Sequence, residues 1–362
     1  MNATNWEVGS TWYTMFDSSI TSSGTHYNND IPENITLLST CRSAIGCILD
    51  TLPTHGVAII PAFTCHSVAQ PFISRSYRLH SYAVNKDLSI DWNKLDTLIN
   101  SIKPDVLLIH GYFGFNTTKG HEQHLESVRQ RGITIIEDRT QTMFSTYKSI
   151  NAHYTVGSIR KWLPVPDGAF LSPMIIDNLI EDTPLITAKT SAMDMKRQYI
   201  INGQGTKDAF RKMFIQAEQL LDSRSRPHAM SSYTRAVLTR EEINRMSNVR
   251  RDNYRILASR MTVLRDISVI FPSLDNSIVP FMLPVYIDSS KIDRNNFQQY
   301  MARHNVYPTI IWKCPDILLE TIDPISLSIY DNILCFHIDQ RYDISDMMKI
   351  ADTVECYFKE IY

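Results

Sequence analysis

From residue 37 onward, short apolar runs alternate with stretches whose apolar residues recur at helical spacing. The runs are VAIIPAF (57–63), LHSYAV (79–84), VLLIHGYFG (106–114), ITIIEDRT (133–140), HYTVGSI (153–159) and GAFLSP (168–173). Between the early runs lie SAIGCILDTL (43–52), HSVAQPFISRS (66–76), WNKLDTLINSI (92–102) and HEQHLESVRQR (121–131). Strands that are apolar on both faces must be covered on both. Their alternation with amphipathic helices predicts an α/β fold, with a mostly parallel sheet flanked by helices and right-handed crossovers.

After residue 205 the pattern changes. KDAFRKMFIQAEQLLDS (207–223) and REEINRMSNVRRDNYRILASRM (240–261) are rich in helix formers and carry helical periodicity. The tail then predicts strands near FMLPVYI (281–287) and ILCFHI (333–338), closed by a helix near ISDMMKIADTVECYFKEI (344–361). This tail does not resume the earlier parallel pattern. We therefore expect a large domain over residues 1–235, including an N-terminal extension at 1–36, and a small α+β domain over 236–362.

Composition narrows the function classes. Of 362 residues, 43% are hydrophobic and 20% charged, which fits an ordinary globular chain. Lys and Arg number 36 against 38 Asp and Glu, a net charge of -2. No basic stripe suggests nucleic acid and no polybasic run suggests a membrane surface. No apolar run approaches a membrane-spanning length, and the N-terminus lacks the basic and apolar regions of a signal peptide. Cys41, Cys47, Cys65, Cys314, Cys335 and Cys356 form no CxxC pair and no zinc spacing, so they read as buried thiols of a reducing compartment, with the cytoplasm as default. The histidines show no metal-ligand spacing with acidic neighbours.

Four segments carry candidate chemistry. IIEDRTQ (135–141) closes a buried strand with Glu137 and Asp138. Ligands of open α/β sheets bind at such carboxyl ends, and a carboxylate there can hold a protonated pyridine nitrogen. Taken alone, Asp138 reads first as the cap of the following turn, the far commoner role. In VGSIRKWLPVPDGAFLS (156–172), Lys161 follows a strand and precedes a turn stiffened by Pro164 and Pro166. A buried lysine shifts its pKa readily, which suits a Schiff base; the alternative is a surface lysine beside Arg160. Trp162 is placed to exclude water. Ser158 offers a hydroxyl to a phosphate or to a local backbone group. LLSTCRSAIGCIL (37–49) opens a helix on a polar turn, where free N–H groups and Arg42 make an anion site; capping by Ser39, Thr40 or Ser43 is the plainer reading. In IIPAFTCHSVAQPF (59–72), His66 stands at a helix start, able to stack on a flat ring or to hydrogen-bond at the turn. Cys65 and His66 are neighbours at a turn, which disfavours a nucleophile–base pair. No GxGxxG or Walker sequence is present.

The order of these segments resembles the DegT/StrS family of pyridoxal 5'-phosphate (PLP) dependent aminotransferases. A phosphate-type turn is followed by PAFTCHS, IHGYFGF, IIEDRTQ, and GSIRKW with a glycine turn. The resemblance covers roughly residues 37 to 172 and continues weakly into FHIDQRYDISDMMKIADTVECY (336–357), with RKWLPVPDG (160–168) marking a divergent branch. It implies the aspartate-aminotransferase-like fold type I, with a seven-stranded sheet in the large domain. It implies that Lys161 carries PLP, that Asp138 contacts the ring nitrogen and that Gln141 lies near the 3-hydroxyl. Arg42 and Ser43 match the helix-start residues that hold the phosphate. Ser158 matches the phosphate-binding serine, with a shorter segment before the lysine. His66 or Phe63 stands in for the ring-stacking aromatic, because Cys65 occupies its place. Cys41 stands for a usual glycine, Trp162 for a usual asparagine and Ala169 for a second glycine.

The implied activity is transfer of an amino group, from glutamate as the expected donor, to a nucleotide-linked keto-sugar for surface polysaccharide. The implied assembly is a homodimer with sites at the subunit interface. A sugar dehydratase on the same fold is the alternative, disfavoured because such relatives tend to have histidine in place of Lys161. A non-catalytic binding module is the other, motivated by Cys41 and Cys65 and opposed by the presence of both Asp138 and Lys161.

Overall fold

The computed structural model describes residues 5–9, 11–15, 34–224, 226–238 and 240–361. A two-residue strand, β1 (Val8–Gly9), precedes β2 (Thr36–Leu38) and α1 (Cys41–Leu49). The chain continues through β3 (Val57–Pro61), α2 (His66–Ile73), β4 (Arg78–Tyr82), α3 (Trp92–Ile102), β5 (Val106–His110), α4 (Glu122–Gln130), β6 (Thr134–Asp138) and β7 (Tyr154–Ser158). A 3-10 turn at Ile159–Lys161 leads to β8 (Ala169–Ser172), followed by α5 (Thr183–Asn202), α6 (Lys207–Asp222), α7 (Ser232–Val237) and α8 (Arg240–Met261). Then come β9 (Ile267–Val269), β10 (Leu283–Ile287), α9 (Arg294–Arg303), β11 (Val306–Tyr307), α10 (Pro324–Asn332), β12 (Ile333–Phe336) and α11 (Ile344–Ile361).

The expected seven-stranded sheet is present, in the order β2-β8-β7-β6-β5-β3-β4. β4, β3, β5, β6 and β7 run parallel, and β8 runs antiparallel to β7 and β2. The link from β7 to β8 is too short for a crossover helix, so β8 returns antiparallel. β5 is buried at every residue, as a central strand covered on both faces must be. Local signals set the crossovers: the Asp91 side chain accepts from Lys94 N to start α3, and Lys103 ends it in the left-handed conformation. Chain order reverses around β3, which lies between β5 and β4. The carboxyl ends of β3, β5, β6 and β7 thus share one edge, where open α/β sheets bind ligands.

The tail forms an antiparallel sheet, β12-β10-β9, with α8 and α11 packed on it. On α8, Met246, Arg250, Asn253, Tyr254, Leu257, Ala258 and Met261 are buried at helical spacing. The apolar core is continuous, so Ile59 and Leu107 belong to the same cluster as Leu257 and Phe336. The expected domain boundary near residue 235 falls inside α7.

The N-terminal aromatics sit on the C-terminal part. β1 pairs in parallel with β11, the Trp6 indole donates to Asp346 at 2.7 Å, and Arg341 lies 4.3 Å from the Trp12 ring centre. Gly9 has φ 109°, and a Cβ there would come within 2.4 Å of the Tyr307 carbonyl oxygen, so the pairing requires glycine. Thr14 bonds Asp194 on α5 at 2.6 Å, which ties the other end of the segment to the sheet side. Residues 16–33 of the expected N-terminal extension lie outside the described residues.

Candidate active site

The turn that presents Lys161 is closed by its neighbours. Gly168 accepts from Ile159 N at 2.9 Å and donates to the Ser39 carbonyl at 2.8 Å. Asp167 is buried and accepts from Ser231 N at 2.9 Å, Ser231 Oγ at 2.6 Å and Thr234 Oγ1 at 2.5 Å. Gly168 has φ 120°, where a side chain would be strained, and a Cβ would meet Thr234 Cγ2 at 2.9 Å. Lys161 is solvent-exposed at the rim of this closed turn, whereas the next residue, Trp162, is fully buried. The positive charge of Arg160, and then the surrounding protein, lower the Lys161 amine from 10.5 to about 8. An accessible amine of low basicity is one prepared to act as a nucleophile.

Asp138 ends β6 and is 2% exposed. The turn-capping reading of this residue is realised by one oxygen, and the other faces a neighbouring strand. Oδ1 accepts from Thr140 N at 2.8 Å, the turn-capping role. Oδ2 lies 3.5 Å from His110 Nδ1, across the β5–β6 register that pairs His110 with Asp138. Burial pushes the carboxyl up, but the adjacent His110 imidazole, with Thr140, outweighs it and holds the pKa below the usual range. Both ring nitrogens of buried His110 lack a hydrogen-bond partner. Sequence reasoning did not single out His110; a polar residue ending the strand beside β6 was the available signal.

Near this pair lies the polar turn that opens α1, the expected anion seat. Thr40 is the N-cap of α1, its hydroxyl accepting from Ser43 N at 3.1 Å. The Ser43 N–H is therefore used, and the N–H groups of Cys41 and Arg42 are the ones left free among the described residues. The Arg42 guanidinium bonds Asp222 at 2.9 Å and Ser67 at 3.3 Å. Ser158 is buried at the carboxyl end of β7. Gln141 is buried, and its Oε1 accepts from Phe113 N at 2.9 Å. His66 is exposed at the first position of α2. The neighbouring Cys65 is the residue within electrostatic reach of Lys161 and Cys41, and Thr140 Oγ1 lies 3.7 Å from Cys41 Sγ. Trp162, expected to exclude water, packs wholly inside, its ring centre 5.2 Å from Phe144 and 5.1 Å from Phe281. Its indole donates to the Thr140 carbonyl at 2.6 Å, in the same turn that Asp138 caps.

One further element meets the site. α6 folds back so that Glu218 pairs with Arg160 at 3.5 Å and with Lys189 of α5, while Asp222 holds Arg42. Burial raises the Glu218 carboxyl, but Arg160 and Lys189 overcome this and bring it to about 2. Nothing in the local sequence of α6 announces this docking.

These groups fit PLP chemically. The cofactor needs an amine for its aldehyde, a carboxylate for its ring nitrogen and N–H donors for its phosphate. Lys161, Asp138 and the first turn of α1 supply the three. Among the described residues, no group of three or more His, Cys, Asp or Glu could hold a metal, and no helix is long and apolar enough to cross a membrane.

No protein-family model matches the sequence, and no curated protein matches it by sequence. Solved structures match throughout the fold. The aminotransferase TlmJ from Streptoalloteichus hindustanus is 13% identical, with 91% of this chain and 87% of that one covered and a TM-score of 0.65. The putative sugar aminotransferase Spr1654 from Streptococcus pneumoniae, in its PLP form, is 13% identical, with 91% and 88% covered and a TM-score of 0.66. DesI, solved in the presence of its TDP-sugar product, is 11% identical, with 88% and 79% covered and a TM-score of 0.64. At these identities the likeness establishes architecture: the chain adopts the type I fold of PLP-dependent transferases.

Proposed function

We propose that this chain is a PLP-dependent aminotransferase. The observation that carries the reading is that adjacent parallel strands bring to one edge an accessible lysine of lowered basicity, in the turn after β7, and a buried carboxylate held below its usual pKa, at the end of β6. When bound, PLP acts as an electron sink for a carbanion at the amino-bearing carbon. Lys161 would hold the cofactor covalently, and its Nζ, with its pKa lowered to about 8, would move a proton on and off that carbon. Asp138 keeps the pyridine nitrogen protonated, with His110 and Thr140 holding the carboxylate in its ionised form. The free N–H groups of Cys41 and Arg42 seat the phosphate at the positive end of α1. Ser158 would add a hydroxyl, Gln141 would lie near the 3-hydroxyl, and His66 or Phe63 would stack on the ring.

The acceptor in this proposal is a keto-sugar on a nucleotide and the donor is glutamate. The sequence resemblance supports this, as does the likeness in fold to sugar aminotransferases, one of them solved with a TDP-sugar. We further propose a homodimer of chains divided near residue 235, acting in the cytoplasm on small molecules rather than on nucleic acid or membrane. The free state of all six cysteines accords with that compartment.

The test is the donor half-reaction. Wild-type protein loaded with PLP and given glutamate should convert it to the amino form, and Lys161→Ala should not. Conversion by Lys161→Ala at the wild-type rate would overturn the assignment.

A further inference from the structure

Arg250 is 1% exposed on α8, and among the described residues no carboxylate bonds its guanidinium directly, the buried Asp339 acting on it only at longer range. A buried unpaired charge is expensive and persists only where other groups satisfy it. Its partners here are main-chain and amide oxygens. Nη1 donates to Phe281 O at 2.8 Å, Nε to Gln340 Oε1 at 3.1 Å and Nη2 to Trp162 O at 3.4 Å. Gln340, buried on the loop after β12, donates from Nε2 to the same Trp162 oxygen at 2.7 Å. The guanidinium also lies 4.8 Å from the Trp162 ring centre. Trp162 is thus gripped by its carbonyl from the C-terminal part of the chain and by its indole from the Asp138 turn. It immediately follows Lys161.

We propose that Arg250 and Gln340 are positioning residues that act through Trp162 to fix Lys161 relative to Asp138. The inference rests on the aminotransferase reading for its catalytic consequence. The clamp itself is a property of the polypeptide. A lysine that must alternately hold and release its partner needs a backbone that returns to one place, and a displacement of about 1 Å at a reacting group can reduce the rate ~100-fold. Trp162 joins the two groups that have to stay in register. Its carbonyl takes its hydrogen bonds from the C-terminal part, and its indole gives one to the carboxylate's turn.

The experiment compares wild type with Gln340→Leu, which removes both amide bonds at similar volume, and with Arg250→Met and Arg250→Lys. Hydrogen exchange of the cofactor-free protein is read on peptides covering residues 156–168. In the loaded enzyme, kcat, KM for the amino donor and the pH at which the visible cofactor band changes are measured. The inference expects Gln340→Leu to speed exchange in that segment alone. It also expects kcat ~tenfold lower with KM within about twofold, and a shifted spectroscopic transition. Arg250→Lys should recover part of what Arg250→Met loses. If Arg250→Met does not fold, Gln340→Leu decides alone. Unchanged exchange, kcat and band position with only a lower melting temperature would overturn the inference. Should wild-type protein take up no cofactor on Lys161, the functional reading fails, while exchange still reports whether the clamp exists.

Discussion

Lys161 stands near two cations, Arg160 and Lys189, and one carboxylate, Glu218, and these charges set its basicity. Because Arg160 is the largest cause of the lowered value, Arg160→Gln should move it back up. In the cofactor-free protein, acylation of Lys161 measured by peptide mass spectrometry should rise with pH around a midpoint near 8. The midpoint should climb toward the ordinary lysine value in the variant. A wild-type midpoint near 10.5 would contradict this environment. Asp138 presents the opposite case, a carboxyl held ionised against burial. Asp138→Asn keeps the shape and removes the charge, and we expect amino transfer to fall ~100-fold or more, as for loss of other preorganised charges. The value at Gly168 is conformational. Gly168→Ala places a Cβ at positive φ against Thr234 and should lower stability by about 1–3 kcal/mol in denaturant unfolding, with exchange rising in the Lys161 turn.

The α5–α6 hairpin brings carboxylates to a site where α1 and the turn after β7 present the cations Arg42, Arg160 and Lys161. Glu218 favours the ammonium form of Lys161, so Glu218→Gln should push the acylation midpoint below 8, opposite in sign to Arg160→Gln. High salt should shrink the difference between Glu218→Gln and wild type, because the Glu218 side chain is about half exposed (48%). A rise in midpoint would show that α6 docks elsewhere. This element also marks where sequence reading stopped. The 20 residues of α5 carry no clean amphipathic stripe, since buried Lys189 and Lys196 share its inner face with Leu185 and Ala192. The six apolar runs all became strands, because period and turn residues are local. β8 ran antiparallel, because strand direction depends on the length of the link. Lys161 and Asp138 were legible as strand-end residues. The occupancy of the Ser43 N–H by Thr40 was not, since either Thr40 or a ligand satisfies the same donor.

In the molecule as a whole, N-terminal and C-terminal segments meet. Trp6 and Trp12 rest on Asp346 and Arg341, contacts between chain ends that no local pattern encodes. His110 and Arg250 show the same limit. One matters through a neighbouring strand and the other through a carbonyl 88 positions away. What joins these parts is the edge of the sheet where Lys161 and Asp138 emerge, and the central claim is that PLP is held there. Purified protein incubated with PLP, reduced with borohydride and mapped by mass spectrometry tests it most directly. The account predicts a visible absorbance band before reduction and a pyridoxyl group on Lys161 alone afterwards. A folded protein with no band and no label on Lys161, or with the label on another lysine, would contradict it.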